Sequence, residues 1–138
     1  MSAAQDATGL PAVGAVLADL RFGPIDEAMV AAYAAASGDA NPIHTDAAAA
    51  RAIGLDGAIV QGMLTMALAA RAIALWLPAA RCPKLSCRFA RPVPVGATLT
   101  LGARVVQRDP GEDRAVLRIL VRDEAGRLAA MAEAVVAG

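Results

Sequence analysis

The residues best suited to chemistry lie in one run, Ser37-Gly38-Asp39-Ala40-Asn41-Pro42-Ile43-His44-Thr45-Asp46. A carboxylate, Asp39, and an imidazole, His44, stand five positions apart with an Asn-Pro dipeptide between them. On a helix that offset would splay the two side chains. Asn41-Pro42 favours a turn instead, because proline fixes its own φ and drives the preceding residue out of the α region. A turn can bring both side chains to one point. His44 is the only histidine in the chain, so any imidazole proton transfer near neutral pH falls to it. A carboxylate and an imidazole at one point can hold a water, with the carboxylate orienting it and the imidazole taking its proton.

Other chemistry fits these residues less well. Ser37 is the nearest hydroxyl, but nothing aligns it with His44, and a serine-type triad needs a further acid and an oxyanion hole. Its better use is to close a helix end. Asp39, His44 and Asp46 are three potential metal ligands, yet one histidine with no added cysteine or glutamate is a thin set, so no metal is expected. A purely structural reading also stands: Asp39 and Asn41 as Asx-turn residues and His44 as a satisfied buried histidine.

Further on, Gly62 opens the longest apolar stretch. A backbone N–H at a helix N-terminus lacks an intrahelical partner and lies at the positive end of the helix dipole. That suits a carbonyl oxygen gaining charge, and glycine admits close approach. A close helix–sheet contact would explain the same glycine.

The elements that must position these residues follow from pattern. Residues 14–22 read as a strand broken by Gly23-Pro24. Residues 25–36 read as a helix with Asp26 as N-cap and Gly38 as its stop. Residues 46–53 make a short alanine-rich helix ended by Gly54. Residues 62–77 make a long helix, apolar nearly all round and so expected in the core. As a membrane span, the stretch 58–77 has about the right length, but Arg71 falls mid-stretch, which disfavours it. After Pro78 the period becomes two. Leu85, Cys87 and Phe89 form one apolar phase; Leu99, Leu101, Ala103 and Val105 the next. Ala115, Leu117, Ile119 and Val121 follow, then residues 128–136, with Pro- and Gly-containing turns between them. This is an antiparallel meander with one wet face. The fold class is α+β, with a helix covering an antiparallel sheet.

The totals agree. The chain has 138 residues, 57% of them apolar and 3% aromatic, which implies one domain with a core of small aliphatic side chains. Thirteen basic residues, twelve of them arginine, balance thirteen acidic ones, so nothing points to nucleic acid. Cys82 and Cys87 lack the companions of a disulfide framework or zinc set, and Cys87 reads as a buried free thiol. Residues 1–12 read as a loose lead-in without a secretion signal, and a cytoplasmic setting is expected.

Two runs resemble the MaoC-like family of (R)-specific enoyl-thioester hydratases and dehydratases. They are Ser37 through Asp46, and Gly54-Leu55-Asp56-Gly57-Ala58-Ile59-Val60-Gln61-Gly62-Met63-Leu64-Thr65-Met66. The likeness extends over residues 14–138 and implies a single hot-dog fold, a sheet wrapped around a long central helix. It implies that Asp39 and His44 are the catalytic pair and that the Gly62 amide binds the thioester carbonyl. Asn41, Gln61, Met63 and Leu64 would meet the substrate. Many relatives have histidine where this chain has Gln61. The implied reaction is syn addition of water to a trans-2-enoyl thioester, or its reverse. Coenzyme A or acyl carrier protein would carry the substrate, with no further cofactor. A homodimer is implied. Residues 53–68 also resemble the catalytic subunit of a two-subunit dehydratase, which would pair with a second hot-dog subunit. A silent acyl-binding subunit and a hot-dog thioesterase are the rival readings. The thioesterase would need an acid on the central helix, and none occurs over 58–77. Arg88, Arg91, Arg104 and Arg118 are candidates for the carrier's phosphates, or simply a solvated strand face.

Overall fold

The computed structural model describes residues 9–138. Five strands make one sheet: β1 (Val16–Phe22), β2 (Arg81–Phe89), β3 (Leu99–Asp109), β4 (Arg114–Arg122) and β5 (Leu128–Ala137). Three α-helices lie between β1 and β2: α1 (Glu27–Ser37), α2 (Ala47–Ala52) and α3 (Gly62–Trp76). The expected meander is confined to β3, β4 and β5, because β2 pairs with β5 rather than with β3. The strand order is β1-β3-β4-β5-β2, with every pairing antiparallel.

Alternation decides which face is covered. Leu99, Leu101, Ala103 and Val105 of β3 and Ala115, Leu117, Ile119 and Val121 of β4 are all buried, as are Ala130, Ala132 and Ala134 of β5. They share one core with Leu64, Leu68, Ala69, Ala72 and Ile73 of α3. Each leucine or isoleucine buried there contributes roughly 1.5–3 kcal/mol. The alanines keep the layer thin.

Two expectations shift. The long helix is buried on one side only: Met63 and Leu75 are 58% and 55% exposed, and Ala67, Ala70 and Ala74 lie exposed between them. A single sheet covers one flank of a helix, and among the described residues nothing covers the other. Likewise β2 is an edge strand, where Pro83 falls at a register shift between Arg81 and Lys84 and is tolerated. Its neighbours Cys87 and Phe89, expected inside, are half-buried and 50% exposed. Of the lead-in expected over residues 1–12, residues 1–8 lie outside the described residues. Leu10 and Pro11 are not loose but packed into the core.

Candidate active site

The loop after α1 is held by hydrogen bonds that each span two residues. Asp26 caps the start of α1 through Met29 N–H at 2.9 Å. Gly38 ends it in the left-handed region, φ 76°, donating to the Ala34 carbonyl. Ser37 Oγ then accepts from Asp39 N–H at 3.2 Å. Asp39 Oδ1 accepts from Asn41 N–H at 3.1 Å, and Asn41 Oδ1 from Ile43 N–H at 3.2 Å. Pro42–His44 form a single 3-10 turn. Asp46 turns away to cap α2 through the Ala48 and Ala49 amides. These Asx- and Ser-type turns use up one side-chain oxygen per residue. Asp39 keeps Oδ2.

That oxygen faces His44. The Oδ2–Nε2 distance is 3.3 Å, with His44 8% and Asp39 40% exposed. The other ring nitrogen, Nδ1, lies 2.8 Å from the Ile59 carbonyl. A carbonyl only accepts, so Nδ1 carries the hydrogen. In neutral His44, Nε2 is therefore an acceptor, pointed at a carboxylate that is also an acceptor. The gap is satisfied only by a proton: on the imidazole, or on a molecule that donates to both.

Ile59 connects this pair to the helix. Its N–H donates to the Ile43 carbonyl at 3.1 Å, beside the bond from His44. Val60 N–H donates to Val93 O at 2.8 Å and Val95 N–H to Ala58 O at 3.1 Å. The backbone three residues before Gly62 is thus pinned from both sides. Gly62 is the first residue of α3, after an N-cap, Gln61, that makes no side-chain cap. Leu64 and Thr65 N–H bond back to Gln61 O. Among the described residues nothing accepts the Gly62 N–H. A Cβ at position 62 would stand 3.1 Å from the Phe89 ring, so a larger residue there would push the ring outward by a few tenths of an ångström.

The remaining expected residues are distributed differently. Gln61 is 1% exposed, and its Nε2 donates to Val30 O of α1 at 2.9 Å. Its Oε1 is buried without a partner. Leu64 is 6% exposed and part of the core, whereas the Met63 side chain is open to solvent. Asn41 serves the loop between Asp39 and His44. Two groups were beyond sequence reasoning. The Ile59 carbonyl is a backbone atom and carries no signal. Phe89 was placed by its period on the inner phase, with no hint that it lies against Gly62.

Comparison with known proteins agrees with this geometry. Residues 13–124 match the model of the MaoC like domain. The chain belongs to the MaoC-like family. It is 36% identical over 118 residues to the (R)-specific enoyl-CoA hydratase of Aeromonas caviae, covering 84% of this chain and 86% of that one. It is 40% identical over 89 residues to the 3-hydroxyacyl-thioester dehydratase X of Mycobacterium tuberculosis. That match takes in 64% of this chain but only 30% of the longer relative. The solved structure of the Aeromonas caviae (R)-hydratase superposes with a TM-score of 0.84 at 34% identity, over 91% of this chain and 96% of that one. The MaoC-like chain therefore has the hot-dog fold expected for it.

Proposed function

We propose that this MaoC-like protein adds water reversibly to trans-2-enoyl thioesters, giving (R)-3-hydroxyacyl thioesters. The observation that carries this is the Asp39–His44 gap: two acceptors at 3.3 Å, one of them fixed in its tautomer by Ile59. A water bridging them donates one hydrogen to Asp39 Oδ2 and the other to His44 Nε2. Its lone pair is then free to attack C3. As the C3–O bond forms, a water proton passes to the pair, and the electron pair of the double bond moves through C2 onto the thioester oxygen. The unpartnered Gly62 N–H is suited to hold that oxygen, aided by the dipole of α3. The enolate collapses by taking a proton from the pair at C2, on the same face. Water is added, and the pair is restored. Such acid–base help is worth about 10²–10⁴ in rate, and an oxyanion donor about 10²–10³.

The acyl group would arrive on coenzyme A or an acyl carrier protein, with no further cofactor. Phe89 and Met63 flank Gly62 with exposed surface, and the edge of β2 is open beside them. A second subunit covering this side supports an enclosed acyl site, and a second copy of this chain is the simplest one. Two free cysteines suit a reducing, cytoplasmic setting, and no helix among the described residues is long and apolar enough to cross a membrane.

The test is loss of enoyl-thioester absorbance with crotonyl-coenzyme A, on the purified protein and on Asp39→Asn and His44→Ala. Turnover to the (R) product by the unaltered protein only is expected. An (S) product, or full activity in both variants, would refute the pair. Turnover appearing only after a second hot-dog subunit is added would assign the two-subunit dehydratase reading.

A further inference from the structure

The face of the sheet turned away from α3 carries a second recess of about 340 Å³. A fault in β1 builds it. Leu17 pairs with Ala103 and Leu20 with Leu101, so Ala18 and Asp19 together stand against Gly102. The Ala18 carbonyl accepts from the Trp76 indole N–H at 2.7 Å. Asp19 is swung over β3, where a Cβ on residue 102 would lie 2.5 Å from its Oδ1. Glycine at 102 makes room for the Asp19 carboxylate, and Val106 and Leu120 supply apolar floor beside it.

The rim is basic. Arg104 of β3 and Arg118 of β4 are direct cross-strand partners, both exposed on this outer face. Like charges in that relation destabilise a sheet. Arg118 leans 3.2 Å from Glu133, an exposed pair. Among the described residues nothing pairs with the Arg104 guanidinium. Arg122 also borders the recess, and among the described residues that line it Asp19 is the only carboxylate, with Glu133 beside Arg118 at the rim. A second copy of this chain laid back to back would set arginine against arginine. A small anion would instead relieve the opposed pair, and the floor of Val106 and Leu120 accepts an apolar body.

We propose that this recess is a binding site for a small amphipathic anion, a carboxylate or phosphate monoester on an apolar chain. Its head group lies between Arg104 and Arg118. Its chain lies along Val106 and Leu120. The sheet separates it from His44 and Gly62, so it is a second site.

The probe is octanoate below its micelle concentration, with octanol and inorganic phosphate as controls, followed by calorimetry and thermal shift. Saturable octanoate binding is expected, with octanol and phosphate each at least about tenfold weaker, octanol for want of a charge-assisted hydrogen bond and phosphate for want of a buried apolar chain. Arg104→Ala should lose at least about tenfold in octanoate affinity by the same measure, while its ligand-free Tm is unchanged or higher because the opposed charge is gone. His44→Ala should bind octanoate as the unaltered protein does. No saturable binding, equal binding of octanol, or equal binding of phosphate would each overturn the proposal. So would undiminished affinity in Arg104→Ala, or affinity lost in His44→Ala, which would put the ligand in the active site.

Discussion

Replacing Gln61 by methionine should stabilise the protein. Gln61 is 1% exposed beneath the first turn of α3. Its amide nitrogen makes one hydrogen bond, to Val30 O at 2.9 Å, while Oε1 is buried without a partner. Loss of the hydrogen bond costs roughly 0.5–1.5 kcal/mol. The Val30 carbonyl is not orphaned by it, because Val30 lies inside α1 (Glu27–Ser37) and that carbonyl serves the helical ladder. Removing the unpartnered acceptor returns roughly 1–3 kcal/mol. Methionine conserves the volume and adapts to an irregular space. The balance is about 1 kcal/mol in favour of the variant, or roughly 3 °C in Tm. Gln61→Ala makes the contrast: it leaves a cavity and should cost about 2 kcal/mol or more. Urea melts decide, read as a midpoint at unchanged slope. A Gln61→Met variant less stable than the parent by about 1 kcal/mol would mean that Oε1 is satisfied by a buried water, and the reasoning fails. Activity is a second readout. A side chain sealed from the surface and turned to α1 should leave kcat/KM within about threefold. A tenfold or larger loss at unchanged stability would instead give Oε1 to the substrate.

Asn41→Ala removes the acceptor for Ile43 N–H, midway between Asp39 and His44; it should cost about 1 kcal/mol in urea melts and lower the hydration rate, and Asn41→Asp should restore both. Asp123 is held below the usual carboxylate range, first by the Arg127 backbone N–H and also by the Arg127 side chain and Ala125 N–H. A depressed folded value gives stability that is present above the ordinary carboxylate pKa and lost as pH falls through the folded one, so urea midpoints should drop in acid less steeply for Asp123→Asn than for the parent. Burial pushes both thiols up, Cys82 against a smaller opposing pull from a hydrogen bond with the Lys84 backbone. Alkylation by iodoacetamide should accordingly be slow at neutral pH in the native protein, accelerate only beyond the usual thiol range, and become fast in urea.

What sequence made legible was local. The loop from Ser37 to His44 could be read as a turn because each of its hydrogen bonds reaches two residues along the chain. Asp26 and Asp46 announced the starts of α1 and α2 for the same reason. Buried phases of β3 and β4 followed from a period of two. What escaped depends on distant partners. Phe89 lies in an edge strand, and its ring lies against Gly62, far away in sequence. Gln61 sits next to a site residue in sequence, yet its amide is directed to Val30, 31 positions away. The bulge that lifts Asp19 over Gly102 is a property of pairing between β1 and β3, invisible in either strand alone.

The fold also divides the work between the two acidic and basic partners. His44 and Gly62 share one stretch of backbone: the ring is fixed by the Ile59 carbonyl, and Ile59 is in turn bonded to Ile43 and followed by Val60 on Val93. The position of Nε2 relative to the free Gly62 amide is therefore set by main chain alone, before any substrate arrives. Asp39 is attached differently. It is 40% exposed, and its carboxylate is anchored by a single bond from Asn41 N–H. Rotation about its side chain costs little, whereas moving His44 means breaking the bridge to Ile59. In the reaction proposed above, which must hold a water and then let its oxygen leave with the product, the proposed proton acceptor and oxyanion donor would be the fixed points. Asp39 is the member free to follow the water.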